Sequence, residues 1–283
     1  MQRQRLAYQD TWPIDEKSGC APRNWPGWPD GKQFALVLTH DVDTEKGQER
    51  CRELITLEQQ IGFRSSYYFV PRRYKVSHEL RNYLALHGFE VGVHDLYHDG
   101  KLYKSKKLFQ SRACAINEYL REWKAVGFRS GAMHHNLDWI KELDILYDAS
   151  TFDTDPFEPQ PDGMQTIFPF YVQRNEGQGG YVELPYTLPQ DFTVFILMQE
   201  TGIDIWKNKL NWIAEHGGMA LVIVHPDYMF FGKGKPSIDE YPSALYIAFL
   251  EYVVSTFKGC YWNVLANDLA KFCCEYYAQS PVR

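Results

Sequence analysis

Residues 34–43 read FALVLTHDVD, an apolar run that passes without a break into Asp41 and Asp43. A continuous apolar run of this kind is typical of a parallel strand that is covered by other elements of the fold. A second run, ALVIV at 220–224, leads in the same way into His225. Both stretches therefore predict buried parallel strands, and both strands end in ionisable side chains.

Strand-like and helix-like segments alternate along the rest of the chain. Strand patterns at 65–70, 90–93 and 181–184 are separated by segments with helical periodicity. About seven such repeats, without a G-x-G-x-x-G turn, favour an α/β fold with a closed or nearly closed barrel over an open doubly wound sheet. One stretch, 155–180, is rich in proline and glycine and is predicted to be irregular.

The first part of the chain differs from the rest. Residues 1–30 carry Trp12, Trp25 and Trp28 among prolines and show no regular periodicity. We predict that they form an irregular arm packed on a single barrel domain, residues 31–283, whose length suffices for one sizeable core. No linker marks a second domain.

Composition and charge exclude several classes of function. The net charge is −6 and basic residues cluster only at 101–107, so no nucleic-acid partner is expected. No run of 18 apolar residues occurs, which predicts no membrane span. The N-terminus lacks an apolar signal region and the six cysteines form no CxxC pair, so we expect a reducing, cytoplasmic environment. The sequence does not indicate the oligomeric state.

In a β/α barrel, catalytic groups lie at the carboxyl ends of the strands, where the βα loops converge. Residues that follow the predicted strands should therefore meet at one mouth of the barrel. The ionisable residues among them are Asp41, Asp43, His94, His98, Arg129, Asp148 and His225.

The two aspartates of the first strand can address one point. In an extended chain, residues i and i+2 point the same way about 6.6 Å apart, so Asp41 and Asp43 share a face. One carboxylate can bind a metal while the other stays free as a base. His40 should point to the opposite face of the strand and stay outside the site.

His94 and His98 have the spacing of a metal-binding pair. On a helical turn, positions i and i+4 face the same side about 6 Å apart. Asp95 stands where a zincin peptidase has glutamate, which disfavours that class. One aspartate and two histidines leave coordination positions open, as a catalytic site requires. The donor set suits one zinc ion, and cobalt, nickel, iron or manganese accept the same ligands.

The order of these motifs resembles the polysaccharide deacetylase family (NodB homology, carbohydrate esterase family 4). The resemblance rests on THDVD after the first strand, His-x-x-x-His, an arginine after the fourth strand and LVIVHP, and it spans roughly residues 34–266. It implies a distorted (β/α)7, TIM-like barrel. It also implies that Asp43, His94 and His98 hold the divalent metal and that Asp41 is the general base.

The same resemblance assigns three further roles. His225 would be the general acid that protonates the leaving amine, and Arg129 would hold the base carboxylate. Asp148 would orient His225. The implied reaction is removal of an N-acyl group from an amino-sugar substrate by metal-assisted attack of water.

Two departures from the family pattern bear on the substrate. Asp95 replaces the usual Ser or Thr after the first histidine, and RSGAM at 129–133 lacks the usual proline and aromatic residue, which implies a differently shaped groove. His134, His135 and Asp191 are candidate substrate contacts, although a purely structural role fits each of them at least as well.

Three functions are consistent with the sequence. The first is deacetylation of an amino sugar, in the cytoplasm most naturally an intermediate of surface-polysaccharide or O-antigen assembly. The second is hydrolysis of a small non-sugar amide or imide. The third is a non-catalytic carbohydrate-binding role on the same fold, which the intact acid, base and ligand residues disfavour.

Overall fold

A curled sheet of mainly parallel strands forms the centre of the computed structural model, which describes residues 12–174 and 179–279. Helices cover its outer face. The strands are β1 (Phe34–Val42), β2 (Ser66–Phe69), β3 (Glu90–His94), β4 (Gly127–Arg129), β5 (Tyr147–Asp148), β6 (Phe170–Gln173), β7 (Gly180–Glu183), β8 (Met219–Val224), β9 (Met229–Phe230), β10 (Tyr241–Pro242) and β11 (Tyr261–Asn263). The helices are α1 (Glu45–Ile61), α2 (His78–Leu86), α3 (Lys106–Trp123), α4 (Leu137–Ile140), α5 (Asp204–His216), α6 (Ser243–Thr256) and α7 (Ala266–Gln279).

Seven parallel strands run around the barrel in the order β8-β1-β2-β3-β4-β5-β7. Strand β6 pairs antiparallel with β7, and β11 pairs with the start of β1. Within the described residues, strands β7 and β8 do not pair directly, and the gap between them is closed by a few hydrogen bonds from the residues that follow β7. The N–H groups of Thr187 and Leu188 both donate to Leu221 O at 3.1 Å, and Thr187 Oγ1 donates to Met219 O at 2.8 Å. The predicted distorted (β/α)7 barrel is confirmed.

Strand β1 is buried along its whole length and divides the core in two. Leu36 and Leu38 lie in the layer between sheet and helices, in one cluster with Leu54 of α1. Ala35 and Val37 face the barrel interior, because successive side chains of a strand point to opposite faces. Complete burial of each larger apolar side chain contributes about 1.5–3 kcal/mol.

The histidine of β1 lies on the helix-facing side, as predicted. His40 Nε2 is 2.8 Å from Glu58 Oε1 of α1, and its ring packs on Tyr67 with centroids 4.5 Å apart. Glu58 also accepts hydrogen bonds from Ser65 and Tyr246. This network satisfies polar groups inside the helix layer and keeps His40 away from the barrel mouth.

Strand β1 is longer than the apolar run at 34–38 suggests. It continues through the polar residues to Val42, because residues 39–42 pair with β2. Thr39 Oγ1 donates to Val222 O at 2.7 Å, so its hydroxyl is satisfied inside the sheet. Asp41 is therefore held within a strand, and Asp43 follows the strand end directly.

Two further segments differ from or extend the sequence analysis. The stretch 155–180, predicted to be irregular, contains strand β6 because its last part pairs with β7. In the arm, Trp28 Nε1 donates to Gly217 O at 2.8 Å and Trp25 packs edge-on against Phe272 of α7. Residues 1–11 of the predicted arm lie outside the described residues.

Among the residues that the structure describes, no helix is both long enough and apolar enough to cross a membrane.

Candidate functional site

A cavity of about 230 Å³ opens at the carboxyl ends of the barrel strands. Apolar side chains such as Phe157, Phe192 and Leu197 form much of its wall. The carboxylates and imidazoles that line it are Asp41, Asp43, His94, His98, Glu158 and His225.

Asp43, His94 and His98 form a compact cluster in this cavity. Asp43 Oδ1 lies 3.2 Å from His94 Nε2 and 3.4 Å from His98 Nε2. All three ligand atoms lie within 4.8 Å of one another. Asp41 Oδ2 lies farther from His94 Nε2, at 3.7 Å, and stays outside the cluster.

The donor set and its spacing fit a divalent metal. Ligands about 2.0–2.1 Å from a tetrahedral ion are separated by about 3.3 Å, close to the two distances measured from Asp43 Oδ1. That oxygen is buried without a hydrogen-bond donor among the described residues. A buried, unpaired carboxylate oxygen facing two imidazole nitrogens is expected where a cation supplies the missing contact.

Neighbouring groups fix the orientation of these ligands. His94 Nδ1 lies 3.0 Å from Arg129 O, so the Nδ1 proton is donated to that carbonyl and Nε2 presents its lone pair to the cluster. Asp227 Oδ2 accepts the N–H of Asp43 at 3.0 Å, and its other oxygen accepts the hydroxyl of Thr44. The loops after β1 and β8 are thereby joined beside the ligand.

The predicted helical turn between the two histidines is wrong. His94 ends strand β3, and Asp95 and His98 both adopt the left-handed backbone conformation, with φ of 54° and 51°. The loop returns His98 to the cluster without a helix. Gly131 lies close against this loop, since a Cβ at that position would be 2.9 Å from Asp95 Oδ2 and 3.0 Å from the His98 ring.

Asp41 faces the same cavity and is held by Arg129. Arg129 Nη1 donates to Asp41 Oδ1 at 2.8 Å and to Thr39 Oγ1 at 3.0 Å. Burial raises the pKa of Asp41, but Arg129 and His94 outweigh that effect and leave the pKa below its ordinary value. Asp41 Oδ2 is left free of the arginine.

The arginine itself is fully buried inside the barrel. Arg129 Nε donates to Ala149 O at 2.9 Å, and its guanidinium lies 4.5 Å from the centroid of the Tyr68 ring. Tyr68 bonds to the hydroxyl of Tyr147 at 2.7 Å, and Tyr147 donates to Glu90 Oε1 at 2.8 Å. A line of polar contacts thus runs from the mouth through the barrel interior.

The partner of His225 is Asp191, not Asp148. Asp191 Oδ1 lies 2.7 Å from His225 Nδ1, and Asp191 Oδ2 accepts the His225 N–H at 2.7 Å and the Tyr241 hydroxyl at 2.9 Å. Burial lowers the pKa of His225, but the Asp191 carboxylate outweighs this and raises the pKa to about 10. His225 is therefore a cation at neutral pH.

This geometry corrects the roles expected for both aspartates. Asp191 is fully buried behind His225 and does not line the cavity, so it is not positioned as a substrate contact. Asp148 instead accepts Ser150 Oγ at 2.7 Å, and that hydroxyl accepts the N–H of Ser130 at 2.9 Å. Asp148 therefore supports the loop that follows Arg129.

His134 and His135 do not line the cavity. His135 Nδ1 bonds to Met133 O at 3.0 Å, and its backbone N–H donates to Gln160 Oε1 at 2.7 Å. The substrate role expected for the two histidines therefore has no support in the geometry of the site. The loop that carries them reaches the cavity through Ala132 and Met133.

Sequence patterns give no role, or the wrong one, for three residues at or next to the cavity. Asp227 directly follows His225-Pro226, and that proximity was the only signal for its contact with Asp43. Asp191 is 34 residues from His225, with no spacing rule to connect them. Glu158 lies in the proline-rich stretch, where no periodicity indicates which side chains turn inward.

The barrel is similar to solved structures of deacetylases and of an allantoinase. A Mycobacterium smegmatis protein assigned to the polysaccharide deacetylases is 19% identical with a TM-score of 0.69, covering 93% of this chain and 96% of its own. A Pseudomonas aeruginosa PAO1 protein with the same assignment is 15% identical with a TM-score of 0.70, covering 96% and 100%. Puue allantoinase is 15% identical with a TM-score of 0.72, covering 96% and 99%. No protein-family model and no curated protein matches the sequence.

At these identities the similarity establishes the fold alone. The chain has the NodB-homology fold that carbohydrate esterase family 4 deacetylases and a related amidohydrolase share.

Proposed function

From this fold and the residues collected at its mouth, we propose that the protein is a metal-dependent hydrolase that removes the N-acetyl group of an amino sugar. The observation that carries the proposal is the convergence of three units on one cavity. They are the Asp43, His94 and His98 cluster, the Asp41 carboxylate held by Arg129, and the His225 imidazole held by Asp191.

The cluster is the proposed metal site, with zinc the first candidate and cobalt, nickel, iron or manganese the alternatives. A divalent ion bound there lowers the pKa of water toward about 7 and polarises the acyl carbonyl. Asp41 acts as the general base. Its Oδ2 takes the proton of the attacking water, because Oδ1 is engaged by Arg129.

His225 acts as the general acid. Its Nδ1 proton is donated to Asp191, which leaves Nε2 to protonate the departing nitrogen. The products are acetate and the free amine. Asp41 and His225 are thus a base held ionised by an arginine and an acid held charged by a carboxylate, and both keep these states at neutral pH.

The cavity favours a small substrate. Its volume, about 230 Å³, lies below the roughly 300–1,000 Å³ of pockets that enclose drug-sized ligands. We therefore place the substrate among mono- or short-chain amino sugars, such as intermediates of surface-polysaccharide or O-antigen assembly. The proposal includes a cytoplasmic location, which the six free cysteines support.

The test is metal analysis followed by acetate release. Purified protein is assayed for bound zinc, cobalt, nickel, iron and manganese, and then with N-acetylated monosaccharides, sugar nucleotides and lipid-linked sugars. We expect about one ion per chain, lost in His94→Ala and kept in His87→Ala, whose imidazole is exposed on the surface. Equal metal content in His94→Ala and wild type would contradict the proposal that His94 binds the metal.

A small non-sugar amide or imide is the second candidate, favoured by the size of the cavity and by the similarity to an allantoinase. Cyclic imides and ureides therefore belong in the same assay. Turnover of these compounds without acetate release from any sugar would select the second candidate. Sugar binding without turnover, with metal bound, would favour a non-catalytic role.

A further inference from the structure

One carboxylate of the cavity has no part in the proposed reaction. Glu158 reaches the cavity from the segment between β5 and β6 and is half-buried there. It also lines a second, open groove of about 970 Å³. Glu158 is therefore shared by the cavity that holds the Asp43, His94 and His98 cluster and by this groove.

One oxygen of Glu158 is held by the protein and the other is not. Glu158 Oε1 accepts hydrogen bonds from the hydroxyl of Tyr186 and from Gln190 Nε2. No described residue donates a hydrogen bond to Oε2, and this oxygen is not shielded from the open space around it. The carboxyl group is therefore oriented by one atom and leaves the second as an acceptor.

The proton count around Tyr186 decides the charge of Glu158. The Tyr186 oxygen contacts both Glu158 Oε1 and Asp155 Oδ2, the latter at 2.9 Å. A phenol has one proton, so it can donate to only one of these carboxyl groups and the other must be protonated. Burial raises the pKa of both acids, that of Asp155 to about 8. Asp155 is only 4% exposed, whereas Glu158 is half-buried and the nearby His225 favours its charged form. Asp155 is the protonated acid and Glu158 is the carboxylate.

We propose that Glu158 Oε2 binds the substrate beside its reacting amide, accepting a hydrogen bond from a hydroxyl or amine group and rejecting a phosphate or carboxylate at that position. This inference rests on the proposed function. The apolar neighbours Phe157 and Pro159 offer no side-chain acceptor, so the acceptor on this wall is Glu158. Because Glu158 lines both spaces, a substrate that occupies the cavity and reaches into the groove contacts this carboxylate.

The perturbation that isolates this role is Glu158→Gln. A glutamine can keep its oxygen against Tyr186 and Gln190, and it then presents an N–H₂ donor to the cavity where the acceptor stood. Loss of a charged hydrogen bond predicts a fall of about 10- to 100-fold in kcat/KM for a neutral amino sugar. Most of this fall should be in KM, because the contact exists before and during the reaction. Glu79→Gln, 85% exposed on α2, is the matched control.

The experiment compares N-acetylglucosamine with N-acetylmuramic acid, whose lactyl carboxylate is attached to the carbon next to the one that bears the amide. Both sugars are tested with wild type, Glu158→Gln and Glu79→Gln, by acetate release and by calorimetric binding. Wild type should have a higher kcat/KM for the neutral sugar than for the charged one. Glu158→Gln should bind the neutral sugar more weakly and should show a smaller ratio between the two kcat/KM values. Glu158→Asp, which keeps the charge but withdraws the oxygen, should raise KM in the same direction. Unchanged KM and preference in both Glu158 variants would overturn the inference and leave the proposed function intact. Absence of turnover and binding in wild type with these two sugars and with the sugar nucleotides and lipid-linked sugars named above would overturn both.

Discussion

Replacing Asp191 by asparagine should move the alkaline limb of the pH–rate profile to lower pH. Asp191 accepts four hydrogen bonds at 2.7–2.9 Å. The donors are the backbone N–H groups of Phe192 and His225, the Tyr241 hydroxyl and His225 Nδ1. All four partners are donors. An asparagine amide can accept at only one end, so the variant loses the charge and leaves at least one donor opposed by an N–H₂ group.

The magnitude follows from the bond to His225 Nδ1. A hydrogen bond to a charged partner contributes about 1.5–3 kcal/mol, and one pKa unit corresponds to about 1.4 kcal/mol. The pKa of His225, which Asp191 raises to about 10, should therefore fall by about 1–2 units. The other charged groups around His225 stay in place, namely Asp41, Asp43 and Glu158. Because the acid must carry its proton, activity is lost as pH rises through this pKa, and a lower pKa ends activity earlier.

The assay is acetate release between pH 6 and pH 11, roughly the window around a histidine with this pKa. Asp144→Asn, a surface carboxylate that pairs with Arg121, serves as the matched control and should leave the profile unchanged. Melting temperature and metal content separate a folding defect from a shifted pKa. If Asp191→Asn folds, keeps its metal and shows the wild-type alkaline limb, His225 is not the acid.

Three further outcomes are expected. Asp41→Asn should lower kcat by about 10²- to 10⁴-fold while the metal content, measured by elemental analysis, stays at the wild-type level; loss of the metal would make Asp41 a ligand instead. Gly131→Ala should weaken metal affinity in a competition titration with a chelator, because the added Cβ meets the His98 ring at 3.0 Å; unchanged affinity would show that the loop yields. Wild-type stability should decrease as pH rises from about 4 to about 8, since buried Asp155 keeps a proton that the unfolded chain releases. The measurement is the melting temperature between about pH 4 and about pH 8. It should fall less in Asp155→Asn than in wild type, and an equal fall in the two proteins would refute the protonation of Asp155.

Much of the fold follows from local patterns in the sequence. The apolar runs of β1 and β8 predict buried parallel strands, and the barrel then brings their polar ends together. The sequence therefore predicts that Asp43 lies with the two histidines and that Asp41 lies beside Arg129. Strand ends are less visible, because Thr39 satisfies its hydroxyl inside the sheet and the strand continues beyond the apolar residues.

The remaining features depend on contacts that no spacing encodes. The spacing of His94 and His98 fits a helix, but two left-handed residues in the loop give the same convergence. Asp191 reaches His225 from a helical turn after β7, and the position expected for its role, Asp148, is committed to Ser150. The first error concerns the backbone of a loop, and the second concerns which of several carboxylates lies beside His225 in three dimensions.

The polar line from Arg129 through Tyr68 and Tyr147 to Glu90 has a consequence for transplanting this site. The base at the mouth is held by an arginine whose lower face rests on a tyrosine anchored at the other end of the barrel. Copying only the mouth residues onto another barrel would leave that guanidinium buried without support. A graft that preserves the chemistry must carry the interior stack with it, so the smallest portable unit is the filled barrel rather than its rim.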